Sequence, residues 1–170
     1  MFIYNRMTAA AYATAWAHGR NPLWANDGSP IGGGDCTNFV SQALYAGGWV
    51  MRYPSYKDTS SWFSTVLDYT RKERSMSWAS ANHFSSFLKW SGRARPCLLP
   101  EILIGDILQQ YLPGKDYPSH TMMVTQVSKG RLYLSYHSND HMNALLDDVL
   151  KRSPKGSHFS FWKILDVYVR

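Results

Sequence analysis

Cysteine is scarce in this chain: only Cys36 and Cys97 occur among 170 residues. Folds that depend on disulfide bonds carry a denser, even set of cysteines, so a disulfide framework is excluded as the basis of this fold. A chain of this length buries a sufficient hydrophobic core without cross-links. The two cysteines are therefore of interest for their chemistry.

Long apolar segments are missing as well. No run approaches the roughly 20 residues that a membrane-spanning helix needs, so we expect no stable insertion into a membrane. The first residues, MFIYNR, lack the extended apolar region of a signal peptide. We expect a cytoplasmic protein, or one that is exported by another route or trimmed.

Long runs of basic residues are absent, although the formal net charge is +6 at pH 7. Positive charge favours anionic partners. A nucleic-acid-binding protein would also carry its basic residues on a recognisable module, which the sequence does not contain, so we expect no nucleic acid as a partner. Repeats and low-complexity segments are also missing. With 45% hydrophobic and 18% charged residues, the chain is typical of one globular domain over 1–170.

The first half of the chain shows a helical pattern. Asn5 is a suitable N-cap, and apolar residues at helical spacing predict a helix from there to His18. Turn-forming residues fill a loop from Asn21 to Gly34, and a second amphipathic helix follows directly. A third helix is predicted over Ser77–Ser91.

After Pro100 the hydrophobic pattern changes to the period of a strand. The predicted strands are Ile107–Tyr111, a hairpin of Thr121–Val127 with Arg131–Tyr136, and Phe159–Val169. Helices followed by an antiparallel sheet predict an α+β fold.

Cys36 has the surroundings of a reactive cysteine. Three glycines and Asp35 precede it and an amphipathic helix follows, which places Cys36 in the first turn of that helix. Free N–H groups and the helix dipole favour a thiolate there, and the same N–H groups can stabilise an oxyanion. The alternative is a small buried hydrophobic residue, as most free cysteines are. Cys97 lies between Pro96 and Leu98 with no helix start behind it, which indicates a packed thiol.

A thiol nucleophile needs an imidazole base within hydrogen-bond reach and a third polar group that orients this base. Of the six histidines, His120 is the best candidate, because it opens an apolar strand directly after a loop, where catalytic side chains have rigid support. His18, His83 and His158 have ordinary positions at a helix end, within a helix and in a polar turn.

Two residues are candidates for the third position. Strand alternation would place His137 and Asn139 on one face of the strand that pairs with the strand of His120. Either side chain could then contact the far ring nitrogen of His120. A metal site is the alternative, because His137, Asp140 and His141 resemble a set of zinc ligands. That set is incomplete and no matching pair occurs elsewhere, so we expect neither a metal nor another cofactor.

Several motifs together resemble a known family. The segment DCTNFVSQAL at 35–44, followed by AGGW at 46–49, resembles the nucleophile region of the putative amidase domain family. Shorter matching pieces occur in the expected order: Tyr4-Asn5-Arg6, Asn21-Pro22, Gly105-Asp106-Ile107-Leu108, His120, and Tyr136 to Asp140. That family is similar to the NlpC-type and CHAP cell-wall hydrolases, which share a reduced papain-like fold.

The resemblance implies a helix-start cysteine that packs on an antiparallel sheet carrying the histidine. Carried over, Cys36 is the nucleophile and His120 the base, with His137 in the third position by strand order and Asn139 as the alternative. The implied activity is that of a cysteine amidase or peptidase, which cleaves an amide bond through a thioester. An acyltransferase and a non-catalytic binding module on the same scaffold are the alternatives.

The substrate implied by the resemblance is a peptide, with a stem peptide or another fragment of peptidoglycan as the leading candidate. The positive net charge leads us to expect a substrate that carries a carboxylate. We also expect aromatic rings in the cleft, with Trp24 near its rim, because Trp24 lies in the loop that leads to Cys36.

Overall fold

A computed structural model describes residues 1–24, 34–54, 58–64 and 74–169 of the chain. The central part of the loop predicted from Asn21 to Gly34 lies outside these residues. Across the described ranges, no helix combines the length and the apolar character needed to cross a membrane.

Helices occupy most of the first half of the chain, and strands occupy most of the second. In chain order the elements are β1 (Phe2–Ile3), α1 (Arg6–Trp16), α2 (Cys36–Ala46), α3 (Met76–Ala79), α4 (Ala81–Trp90), β2 (Ala94–Pro96), a 3-10 turn (Leu99–Glu101), β3 (Ile107–Tyr111), β4 (His120–Ser128), β5 (Arg131–Tyr136), β6 (His141–Leu145), α5 (Leu146–Arg152), β7 (His158–Ile164) and β8 (Val167–Tyr168).

The first two helices lie close to their predicted positions. Asn5 caps α1, because its side-chain oxygen accepts a hydrogen bond from the N–H of Thr8 at 3.0 Å. α2 begins at Cys36 and is followed by Gly47, whose N–H donates to the carbonyl of Ala43. The two predictions are confirmed to within a few residues.

The third predicted helix is divided into α3 and α4. Ser80 lies between them with an extended backbone (φ −108°, ψ 127°). Its hydroxyl lies 3.0 Å from Nδ1 of His83. Serine side chains that bind nearby polar groups compete with helix formation, which accounts for the break.

The main sheet is antiparallel throughout, in the order β2-β7-β3-β4-β5-β6. The α+β prediction is therefore confirmed. The strand predicted over Phe159–Val169 is two strands, because the chain leaves the sheet after Ile164 and β8 pairs with β1. The sequence pattern does not predict β2, β6 or α5.

The two faces of the sheet are covered by different elements. One face packs on α2 and α4 and contributes Ile107, Met123 and Trp162 to the larger core. The opposite face packs on α5 and contributes Leu108 and Met122 to a second core. Successive residues of a strand point to opposite faces, so neighbouring side chains of β4 meet different surroundings.

A buried ion network connects α1 with the sheet. Asp106 is fully buried, and its carboxylate binds Arg6 at 2.5 Å and Lys163 at 3.0 Å. The same carboxylate accepts hydrogen bonds from the N–H groups of Leu103 at 2.8 Å and Ile164 at 2.9 Å. The Tyr-Asn-Arg and Gly-Asp motifs are thus one structural unit, although a hundred residues separate Arg6 from Asp106.

Candidate active site

Cys36 is the first residue of α2, and only 4% of its surface is exposed. Its sulfur lies 3.8 Å from the hydroxyl of Thr37 and accepts a hydrogen bond from the backbone N–H of Thr121. Burial raises the pKa of the Cys36 thiol, whereas these donors lower it by a smaller amount. The net direction is opposite to that expected from the helix start alone, because desolvation outweighs the helix terminus. Cys36 is therefore a neutral thiol in the resting structure.

The residues around Cys36 fix the beginning of α2. The hydroxyls of Thr37 and Thr121 lie 2.9 Å apart, which joins the helix to β4. Asn38 donates to the Asp35 carboxylate at 2.7 Å and accepts a hydrogen bond from the Trp78 indole at 2.7 Å. The most specific motif of the sequence thus holds the Cys36 sulfur against the sheet.

His120 is the first residue of β4, on the face that packs on α5. Together with Met122 it lines a cavity of about 330 Å³. The ring of Tyr136 packs edge-on against the imidazole at 5.1 Å between centroids. Burial, with a smaller contribution from the nearby His141, lowers the pKa of His120 to about 4. The imidazole is therefore neutral at pH 7 and able to accept a proton.

The Cys36 sulfur and the His120 ring lie on different sides of β4. The Cys36 sulfur is held at the N–H of Thr121, whereas the His120 ring, one residue earlier, points into the cavity. Within the described part of the chain, no hydrogen bond joins the sulfur to the ring. The structure places the two residues at the same end of the strand without bringing them into contact for proton transfer.

His137 is 2% exposed and faces the start of α2 rather than His120. Its Nδ1 lies 2.6 Å from the Asp35 carboxylate and its Nε2 lies 2.9 Å from the carbonyl oxygen of Trp16. Arg20 binds the same carboxylate through Nε at 2.9 Å. The hydrogen bond expected between His137 and His120 is not formed, and His137 instead supports the residue that precedes Cys36.

Asn139 lies in a turn and does not share a face with His137. β5 ends at Tyr136, and both Ser138 and Asn139 have positive φ values, 64° and 85°. Two consecutive residues of this kind form the tight turn of a hairpin, which ends the strand alternation. Asn139 does line the cavity with His120, but in the described structure it makes no hydrogen bond to the His120 ring.

The zinc alternative is not supported by this geometry. Asp140 binds the guanidinium of Arg20 through two hydrogen bonds of 2.9 and 3.0 Å. His137 faces Asp35, so His137, Asp140 and His141 do not converge on one point. In the ranges that the structure describes, no group of three potential ligands comes together.

Trp24 and Cys97 were singled out by the sequence, with different outcomes. Trp24 is only 7% exposed and packs on Trp78 at 5.1 Å and Tyr45 at 5.4 Å between centroids. The prediction of a cleft rim is therefore wrong, because the large indole is buried in the core.

Cys97 is a free thiol packed against the second core, on the side of the sheet that is covered by α5 (the α5-side core), and burial raises its pKa. The prediction of a packed thiol is confirmed.

The sequence does not predict that three polar residues lie beside His120: Gln110, His141 and Arg152 all line the same cavity. The sequence pattern marks His141 only as a candidate zinc ligand. Gln110 is the direct cross-strand partner of His120, so the register of β3 and β4 is the signal that would identify it. His141 and Arg152 belong to β6 and α5, which the hydrophobic pattern does not predict.

Gly34, two residues before Cys36, has no room for a side chain. A Cβ at this position would lie 1.8 Å from Oγ and 2.7 Å from Cβ of Ser138. We expect Gly34→Ala to lower the free energy of unfolding by about 1–3 kcal/mol, because the turn before α2 must move. Gly19→Ala is the matched control, since its Cβ would meet only Trp16 at an ordinary 3.7 Å. Urea unfolding compares the two variants, and equal stabilities would contradict this packing.

The low pKa of His120 makes the stability depend on pH. The pKa of the imidazole is about 6.5 in the unfolded chain and about 4 in the fold. The unfolded chain binds more protons between these values, so stability falls as the pH drops from about 6.5 to 4. Between pH 7 and 4, we expect the free energy of unfolding to fall by about 3 kcal/mol less in His120→Gln than in the wild type. Urea unfolding at both values measures this, and equal losses in the two proteins would contradict the assignment.

Comparison with known proteins identifies the family. The model of the putative amidase domain matches residues 3–162. Two Bacillus subtilis (strain 168) proteins are similar: uncharacterized protein YhbB is 29% identical over 137 residues, and uncharacterized protein YjcM is 30% identical over 122 residues.

These matches cover 78% and 64% of this chain, but only 40% of YhbB and 25% of YjcM. The chain thus spans less than half the length of either relative. No solved structure matches. Because the family model covers nearly the whole sequence, the chain belongs to the putative amidase domain family.

Proposed function

We propose that this domain hydrolyses an amide bond through a thioester on Cys36, with His120 as the general base. The observation that carries the proposal is the position of Cys36. It opens α2, and its sulfur is held by the N–H of Thr121, the residue directly after His120. Membership of the putative amidase domain family supports the cleavage of an amide bond.

Both reacting groups start in their neutral forms. Burial keeps the proton on Cys36, and the low pKa of His120 leaves one ring nitrogen free to accept it. As the sulfur attacks the carbonyl carbon, His120 takes the thiol proton and then delivers it to the nitrogen of the leaving amine. Water next attacks the thioester. His120 takes a proton from this water and returns it to the sulfur, which releases the carboxylic acid.

This mechanism requires the His120 ring to turn from the cavity toward the sulfur. Among the described residues, no hydrogen bond holds the ring in its resting position, where it packs against Tyr136. Catalytic hydrogen bonds are often long in free enzymes and tighten when the substrate binds. We therefore place substrate binding before the formation of the contact between Cys36 and His120.

The oxyanion is proposed to bind at the start of α2. The first N–H groups of a helix have no acceptor within the helix, and they lie at the positive end of its dipole. The N–H of Cys36 is one of these groups. A donor at this position stabilises the charge that develops on the carbonyl oxygen during attack.

For the third position we favour Asn139 over His137. Asn139 lines the same cavity as His120, whereas both ring nitrogens of His137 face acceptors elsewhere, on Asp35 and Trp16. His137 is then a positioning residue, which holds Asp35 and the start of α2.

We further propose a papain-like architecture and a peptide substrate. A helix-start cysteine on an antiparallel sheet is the arrangement that the resemblance to NlpC-type and CHAP hydrolases implies. Peptidoglycan stem peptides are the substrates that we favour, since they combine amide bonds with carboxylates and the chain carries a net charge of +6. The cavity at His120 is open and is lined in part by polar side chains, which favours water over an amine or alcohol as the acyl acceptor.

A panel of defined amides tests the proposed function. Purified stem peptides, wall fragments, neutral peptide amides and esters are incubated with the protein, and the products are identified by mass spectrometry. We expect an amine and a free acid from at least one peptide, with one atom of ¹⁸O from labelled water in the acid. Acyl transfer to an added amine without hydrolysis would replace the hydrolase by a transferase. Failure to turn over any of these substrates would contradict the proposal.

A further inference from the structure

The cavity at His120 has the electrostatic character of an anion site. Its lining includes three side chains that carry or can accept a positive charge: His120, His141 and Arg152. Amide groups of Gln110 and Asn139 supply further hydrogen-bond donors. Among the described residues that line it, none is acidic. A cavity of this kind attracts a negative ligand and repels a positive one.

Arg152 is the strongest cation of this cavity. Its Nε donates to the carbonyl oxygen of Asp148 at 3.2 Å, which orients the guanidinium on the last turn of α5. Within the described ranges no carboxylate pairs with it. Arg152 is exposed to solvent at the edge of the cavity, which it lines together with Tyr136. Burial raises the pKa of the Tyr136 phenol, and the charge of Arg152 opposes this rise. A planar guanidinium with free N–H groups suits a carboxylate, which it binds through two parallel hydrogen bonds.

The remaining lining favours an organic acid over inorganic phosphate. Leu112, Met122, Val149 and Pro154 contribute apolar surface beside the cations. The volume of about 330 Å³ lies at the lower end of the range of small-molecule sites. A carboxylate attached to a short apolar or peptide group can contact both the cations and the apolar side chains of the cavity.

The cavity lies at the same end of the sheet as Cys36. Ser138 lines the cavity, and it packs so closely on Gly34 that a Cβ there would collide with its hydroxyl. That hydroxyl is buried and has no hydrogen-bond partner among the described residues. Ser138 therefore connects the lining of the cavity with the turn that precedes Cys36.

We propose that this cavity binds the carboxylate end of the amide substrate, with Arg152 as the clamp that selects it. The identification of this ligand as a substrate rests on the proposed function. The binding itself does not depend on turnover, so the two can be tested separately.

The experiment measures binding to the intact Cys36→Ala chain, which cannot form a thioester. Isothermal titration calorimetry compares an N-acetylated dipeptide with a free carboxylate, the same dipeptide as its C-terminal amide, and inorganic phosphate. We expect the free acid to bind about tenfold or more tightly than the amide, which cannot accept the paired hydrogen bonds. The acid should also bind more tightly than phosphate, which can pair with Arg152 but leaves the apolar lining of the cavity unfilled.

Arg152→Gln should abolish the preference for the acid. Lys151→Gln is the matched control, because it removes the same charge from the neighbouring exposed residue of α5, and it should change affinity by less than about twofold. Circular dichroism checks that both variants fold. Equal effects of the two substitutions, tighter binding of phosphate, or no binding of the acid would overturn the proposal. Selective binding of the acid in a protein that hydrolyses no amide would leave the cavity assignment intact and refute only the proposed function.

Discussion

Asp106→Ala is expected to lower the free energy of unfolding by about 3–5 kcal/mol, the largest stability effect that we predict. The carboxylate is fully buried between Arg6 and Lys163. Removal of one partner from a buried ionic network leaves the other charges without compensation, and the cost has this magnitude. The free energy of unfolding of a small domain is only about 5–15 kcal/mol in total. The variant should therefore be close to unfolding at ordinary temperature.

Asp166→Ala provides the matched control for this prediction. Asp166 binds the same Arg6 side chain, but its own side chain is 67% exposed. Exposed ion pairs contribute about 0–1 kcal/mol, so this variant should remain close to the wild type. Urea unfolding followed by circular dichroism measures both proteins. Similar losses in the two variants would show that the burial of Asp106 is not what makes it important.

Cys36→Ala is expected to lower turnover by about 10³-fold or more, the largest effect on activity. The sulfur is the atom that forms the thioester, and loss of a nucleophile in comparable hydrolases has at least this cost. The fold should survive, because alanine replaces a small buried side chain at a helix start.

Cys97→Ser separates this effect from a general loss of thiols. Cys97 packs on the α5-side core, away from α2, so its replacement should leave kcat within about twofold of the wild type. Initial rates on the best peptide of the panel measure both variants. Equal activity of Cys36→Ala and wild type would exclude the thioester mechanism.

The hydrophobic pattern predicts those elements that carry a clear period. α1, α2, β3 and the β4–β5 hairpin are of this kind, because their apolar residues follow the period of a helix or of a half-buried strand. The main differences between the predicted and the observed elements arise where the chain interrupts a helix or leaves the sheet. Ser80 divides a helical pattern that looks continuous, and the chain leaves the sheet after Ile164 to form a strand with the N-terminus.

The candidate site was harder to predict than the fold. Local context places Cys36 at a helix start, but burial determines the direction of its pKa shift, and burial is a property of the tertiary structure. Likewise, alternation would keep Asn139 on the face of His137, whereas two residues with positive φ end the strand at Tyr136. Two neighbours of His120, His141 and Arg152, come from β6 and α5, so no local pattern around His120 indicates them.

Trapping of the acyl-enzyme tests the central claim most directly. The wild type, Cys36→Ala, His120→Gln and Cys97→Ser proteins are mixed with the best peptide substrate, quenched in acid within the first turnover, and analysed by intact and tryptic mass spectrometry. We expect an adduct of the acyl mass on Cys36 in the wild type and in Cys97→Ser, a much slower adduct in His120→Gln, and none in Cys36→Ala. Substrate cleavage with no adduct on Cys36, or an adduct on another residue, would contradict the assignment of Cys36 as the nucleophile.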